Sequence, residues 1–232
     1  MSNRIHPTAV VGDGVELGDD NVIGPYAVIL GPTVIGSGNW IGPHVVIGTP
    51  PENRSTPHVV GWEGEQGEFG VRIGDRNRIR EHVTVHGGTH RPTGIGSDCF
   101  LLVYSHIGHD VLLDDNVTLA PVAQVAGHNR VWGHANIGMS ATVHQNVDIG
   151  PGVMVGMSSA VRKVAQPWAV LLGNPARAVS MNTIGLSRLG CDDAMVDAVA
   201  GYLGGTGELP ADLPDEVATL LKAWADRTPA RH

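Results

Sequence analysis

Aliphatic residues recur every six positions along most of the chain. Stepping by six from Ile5 meets Val11, Leu17, Ile23, Ile29, Ile35, Ile41 and Ile47. The phase breaks after Gly48, resumes at Ile73, Ile79 and Val85, slips again, and then runs unbroken from Ile95 to Val161. An α-helix repeats every 3.6 residues and a strand every two, so neither produces this spacing. A short fixed repeat of this kind predicts a solenoid in which each coil packs only on its neighbours. Three six-residue sides would close one triangular coil, each hexad pointing its aliphatic residue inward. Small residues two places earlier (Ala9, Val15, Ala27, Thr33, Val45) would share the interior. The Gly that often follows the aliphatic residue, as at Gly12, Gly18, Gly24, Gly36, Gly42 and Gly48, reads as relief for the backbone where the chain turns.

Two stretches leave this pattern. Residues 48–72 hold several prolines and glutamates and no hexad, and residues 87–94 (GGTHRPTG) form a shorter break. Long structureless insertions tend to carry function. After Val161 the repeat ends, and GNPAR at 173–177 marks a turn out of the coil. Residues 191–203 and 214–226 then read as helices, with Asp192 as N-cap of the first and Pro214 in the first turn of the second. The predicted organisation is a repeat domain over 1–184 and a helical region over 185–232, the latter packed on a neighbouring subunit.

Composition narrows the function. Aromatic residues reach only 4% while Gly occurs 32 times, so the interior must be built from small aliphatic side chains in thin layers. A net charge of −8 argues against a nucleic-acid partner, which needs a clustered basic face. Cys99 and Cys191 are too few for a disulfide framework or a cysteine metal site. No signal-peptide core and no membrane-length apolar run is visible, which predicts a cytoplasmic protein without membrane insertion.

The candidate chemistry lies in histidine, present 12 times and clustered from His82 to His144. Imidazole serves either as a metal ligand or as a general base. The sharpest local signal is VYSHIGHD at 103–110. With Ile107 inward, His106 and His109 flank a corner, and Asp110 stands next to His109, where a carboxylate would fix its tautomer or raise its basicity.

The aliphatic-Gly hexads resemble those of the left-handed parallel β-helix family. More specific are IGDRNRIREHVTVHGGT (73–89), SHIGHD (105–110), LAPVAQVAGH (119–128), TVHQNVDIG (142–150) and GNPAR with GLSRLG (173–190). Over roughly 5–190, and including HPTA at 6–9, these resemble the UDP-N-acetylglucosamine O-acyltransferase family, which moves a 3-hydroxyacyl chain from acyl carrier protein to the sugar 3-hydroxyl. The resemblance implies a left-handed β-helix, a homotrimer with clefts between subunits, and no metal or other cofactor beyond the acyl thioester. It implies His109 as the general base, Asp110 as its support and the Gly127 N–H as oxyanion donor. His106 and Gln145 match sugar-contacting positions, and His128 and His144 match histidines lining the cleft. Asn182 and Arg188 match positions that hold the nucleotide or the carrier's phosphopantetheine. Met157 matches the position closing the acyl groove, where a Met implies a shorter donor, on the order of ten carbons or fewer.

The chain departs from the family in two places. Nothing in 48–72 reproduces the DLKYxGE-like run that supplies an Asp and a Lys to the substrates; His58, Trp62, Glu63 and Glu65 are the residues noted there instead. Ser187 and Leu189 flank Arg188 where basic residues are usual, and an acidic carrier protein favours a basic docking face. The alternative donor is therefore acyl- or acetyl-CoA, with O- or N-acylation of another nucleotide-linked or amino sugar. Two rivals lie outside the transferases. A γ-class carbonic anhydrase needs three converging histidines, but Pro121 and Ala126 stand at the aligned ligand positions. A non-catalytic scaffold would use the repeat for assembly alone.

Overall fold

The computed structural model describes residues 2–56 and 68–227. The hexads form a parallel β-solenoid whose three faces are sheets of ten, eight and seven strands. The ten-stranded face runs from Arg4–Ile5 to the outgoing hairpin, the eight-stranded face from Val10–Val11 to Ala160–Val161, and the seven-stranded face from Val15–Leu17 to Asp148–Ile149. Register is direct: Ile23 pairs with Ile41, and Ile29 with Ile47, one coil on. Each strand is short because a corner interrupts every hexad.

The inward residues make one continuous column. Ile29, Ile41, Ile47, Ile79, Leu101, Ile107, Leu119 and Ile137 are fully buried, and Ala27, Val45 and Thr33 share the interior. Beside the aliphatic stack runs a ladder of buried asparagines. Asn39 donates from Nδ2 to Asn21 Oδ1 (3.0 Å) and Gly74 O (3.0 Å), while its Oδ1 accepts from the Asn77 backbone N–H (2.9 Å) and Nδ2 (3.0 Å). Replacing Asn39 by Leu strands these donors in an apolar interior, at about 1–3 kcal/mol for each buried group left unpaired. The urea midpoint is expected to fall with an unchanged slope.

Glycine does a different job from the one its sequence position implied. Of the hexad glycines noted above, only Gly48 has positive φ, at +85°. The corners turn instead on non-glycine residues such as Tyr26, His44, Asp110 and His128, all with φ between +56° and +62°. Gly18 and Gly36 are needed because a Cβ there would lie 2.8 Å from the backbone carbonyl of the next coil. Close stacking of coils, not the turn, excludes a side chain.

Both breaks fall on the corner between the eight- and seven-stranded faces. Partners otherwise 18 residues apart are 38 apart across the first and 22 apart across the second. After the last hexads, Ala169–Leu172 and Arg177–Met181 form an antiparallel hairpin around GNPAR. Helices α1 (Thr183–Arg188), α2 (Asp193–Leu203) and α3 (Asp215–Ala225) follow. Asp192 caps α2, accepting from the Met195 N–H, whereas Pro214 sits one place earlier than expected, at the N-cap of α3. The first helix spans positions 184 and 185. Within one chain the helices pack on the prism: Leu186, Val199, Val217 and Leu221 cluster with Trp168. Trp224 meets Trp132 edge to face at 5.5 Å, and Glu216 pairs with His134 at 2.7 Å. Among the described residues, no helix is long and apolar enough to cross a membrane.

Candidate active site

The sharpest geometry lies on the corner that carries the two breaks. Ile107 points inward, and two residues later His109 stands at the corner with Asp110 turning the chain at φ +60°. The second break wraps round the Asp110 carboxylate. It accepts from the Thr89 N–H (3.0 Å to each oxygen), Thr89 Oγ1 (2.7 Å), the His90 N–H (2.8 Å) and the Arg91 N–H (3.1 Å). Arg91 donates in turn to the Asp110 carbonyl, at 2.7 Å from NH2. The remaining bond runs to His109 Nδ1 at 2.7 Å.

Burial alone would push the Asp110 carboxyl up; the bonds from His109, Thr89 and the His90 amide outweigh it and hold it well below the usual carboxylate range. The group is therefore anionic and only accepts. His109 must carry a proton on Nδ1, which leaves the Nε2 lone pair facing away from Asp110. The folded state is stabilised wherever this carboxylate is charged. That contribution is present above the unfolded value of about 4 and is lost as pH falls below it. Stability to urea is expected to drop on acidification through that range in the wild type, and less in Asp110→Asn.

Gly127 lies against the other side of the ring. A Cβ there would come within 2.7 Å of His109 Cε1 and 2.8 Å of Nε2. Its backbone N–H donates to no group among the described residues. His128 meets the His109 ring edge-on at 4.8 Å, and burial lowers its basicity against the pull of Asp110.

Two adjoining hollows open here and share Glu52, His109 and Gln145. One adds Asn53, Arg54 and His128; the other adds His106 and Gly127. Glu52, Asn53 and Arg54 come from the first break, so this loop, which lacks the DLKYxGE-like run, still brings an acid and a base to the site. The signal was ENR at 52–54, an acid and a base two residues apart, at a different place in the loop from the residues first noted. Those (His58, Trp62, Glu63 and Glu65) lie outside the described residues.

The structure thus gathers His106, His109, Asp110, Gly127, His128 and Gln145. His144 is exposed beside them, its Nδ1 3.1 Å from the Gln145 carbonyl. Three other residues stand apart within one chain. Asn182 caps α1 and donates to Gly152 O, so both ends of its amide are engaged. Arg188 ends that helix, exposed. Met157 lies on a different corner and is 75% exposed, which rules out its filling a gap between coils. Two groups bring metal-capable atoms within 4.8 Å of one another: Glu52, His86 and His106, and His109, Asp110 and His128.

Relatives carry the same names that the motifs pointed to. An acyl-(acyl-carrier-protein)–UDP-N-acetylglucosamine O-acyltransferase from Campylobacter concisus is 32% identical over 214 residues, covering 86% of this chain and 81% of the relative. The chain belongs to the UDP-N-acetylglucosamine O-acyltransferase family. A second family member, from Gloeothece citriformis, is 37% identical over 128 residues, 54% of this chain, and the match spans only 46% of that relative's length. The UDP-N-acetylglucosamine acyltransferase structure from Campylobacter jejuni superposes with a TM-score of 0.78 at 28% identity, covering 99% of this chain and 100% of that one. The solenoid is accordingly the left-handed β-helix of the acyltransferase family. No family model matches the chain.

Proposed function

We propose that the protein transfers a 3-hydroxyacyl group from an acyl carrier protein thioester to the 3-hydroxyl of UDP-N-acetylglucosamine. The observation that carries this reading is the His109 ring, its proton fixed on Nδ1 by an anionic Asp110 and its Nε2 edge packed so close to Gly127 that no side chain fits between them. Nε2 removes the proton of the acceptor hydroxyl as its oxygen attacks the thioester carbonyl. The oxyanion that forms accepts from Gly127 N–H. Its collapse expels the carrier's sulfur, which takes the proton back from Nε2. A thioester is already activated, so a base, an oxyanion donor and alignment suffice, and the reading calls on no cofactor.

His106 and Gln145, beside His109 in the same hollow, are assigned to the sugar, with His128 and His144 lining the approach. Asn182, Arg188 and Met157 line neither of these two hollows in one chain, which supports a homotrimer in which they serve a neighbour's cleft. On this reading Asn182 and Arg188 hold the nucleotide or the carrier's arm. The reading assigns the enzyme to the cytoplasm, where an acyl carrier protein and a sugar nucleotide would meet it. A net charge of −8 offers an acidic carrier protein few basic contacts, which keeps acyl-CoA as the alternative donor.

Incubation with UDP-N-acetylglucosamine and matched acyl-carrier and acyl-CoA donors tests the assignment. Faster turnover of the carrier-bound donor supports it, and turnover of acyl-CoA alone sinks it. The same assay across chain lengths reads Met157. Wild type is expected to prefer donors of about ten carbons or fewer, and Met157→Gly to shift toward longer ones, since each buried methylene contributes about 0.8 kcal/mol. An unchanged preference removes Met157 as a length determinant.

A further inference from the structure

Beside the His109 dyad, the Nε2 atoms of two histidines face the two oxygens of one carboxylate. His86 Nδ1 lies 2.9 Å from the Pro50 carbonyl, which only accepts, so the ring proton sits there and Nε2 is bare. That Nε2 faces a Glu52 oxygen at 3.8 Å, and a carboxylate also only accepts. His106 turns the same way: Nδ1 meets Thr84 Oγ1 at 2.8 Å, and Nε2 faces the other Glu52 oxygen at 3.6 Å, bare when the hydroxyl accepts from Nδ1–H. Both histidines therefore have the nitrogen turned away from Glu52 held by an oxygen of the prism or loop. This is how metal-bound imidazoles are oriented by their surroundings.

The neighbouring group of His109, Asp110 and His128 fails the same test. The Asp110 oxygens are taken up by Thr89, His90, Arg91 and His109, leaving no lone pair for an ion. We propose that Glu52, His86 and His106 bind a divalent transition-metal ion of the zinc class, with its fourth position open to the hollow that holds His109. Tetrahedral zinc with N and O ligands at about 2.0–2.1 Å places ligand atoms roughly 3.3 Å apart. The contacts of His86 and His106 to Glu52, at 3.8 and 3.6 Å, need to close by only a few tenths of an ångström, all three ligand atoms lie within 4.8 Å of one another, and Glu52 is exposed. The bound ion ties the first break to the prism wall and occupies His106. Resting on the acyltransfer reading, it then acts as an inhibitor competitive with the sugar nucleotide.

Metal-stripped, full-length protein titrated with Zn2+ against a chromogenic chelator tests the binding directly. One ion per chain is expected at about micromolar affinity or tighter. Glu52→Gln and His86→Ala should each weaken uptake more than about tenfold, and Thr84→Val, which removes only the support of His106, by about 10- to 100-fold. His109→Ala should bind as wild type does. Absence of uptake by the wild type at micromolar Zn2+ overturns the site, as does loss in His109→Ala with Glu52→Gln unaffected. In the transfer assay Zn2+ should raise the apparent KM for the acceptor and leave kcat unchanged. Zinc uptake without any acyl transfer would reject the reaction and keep the metal site.

Discussion

His109→Ala is expected to lower the rate of acyl transfer by about 10²- to 10⁴-fold, the usual contribution of a positioned general base. The loss should appear in kcat more than in KM, because the base acts on a proton that moves only in the transition state. The fold should survive. His109 stands at a corner, outside the aliphatic column, and its removal frees one acceptor site on a carboxylate that keeps its bonds to Thr89, His90 and Arg91. Thermal unfolding by circular dichroism checks that point. A variant with wild-type turnover would remove His109 from the chemistry.

Asp110 separates two roles that one substitution would blur. Asp110→Ala removes the shared acceptor of the Thr89, His90 and Arg91 amides at a part-buried corner, each costing up to about 1–3 kcal/mol where water does not replace it. The second break would come loose and the protein lose several kcal/mol of stability. Asp110→Asn keeps the shape and one acceptor oxygen, so most of these bonds can persist. An amide nitrogen turned to His109 donates instead of accepting, which moves the ring proton to Nε2 and removes the lone pair from the substrate side. The expected result is a loss of turnover near that of His109→Ala, again about 10²- to 10⁴-fold, with a much smaller loss of stability than Asp110→Ala shows. Equal stability losses in the two variants, or an active Asp110→Asn, would contradict the tautomer argument.

The wall of the prism was legible from the spacing of its aliphatic residues, because a six-residue period leaves one packing solution and tertiary contacts repeat the local pattern. The role of glycine was not. Sequence shows that a side chain is missing, not whether a dihedral or a neighbouring backbone forbids it, and at Gly18 and Gly36 it is the backbone of the next coil. HxxHD located the corner, yet nothing local announced that residues 89–91 would converge on Asp110, 19 to 21 positions away. Glu52 and Arg54 escaped for a related reason. An insertion has no repeat to fix its register, so the residues that fold back onto the site are settled only by where the loop lands. The tail is a further case: its apolar faces announced a partner without naming it, and Trp132 and Trp168 of the same chain take up part of that surface.

The most direct test is the product itself. The protein is incubated with UDP-N-acetylglucosamine and a 3-hydroxyacyl carrier protein, and the sugar nucleotide is followed by mass before and after mild base. Acyl transfer to a hydroxyl is expected to add one 3-hydroxyacyl group to the intact nucleotide, and base should release it as an ester. An unmodified nucleotide beside a consumed thioester, or an adduct that resists base as an amide does, would contradict the proposed reaction.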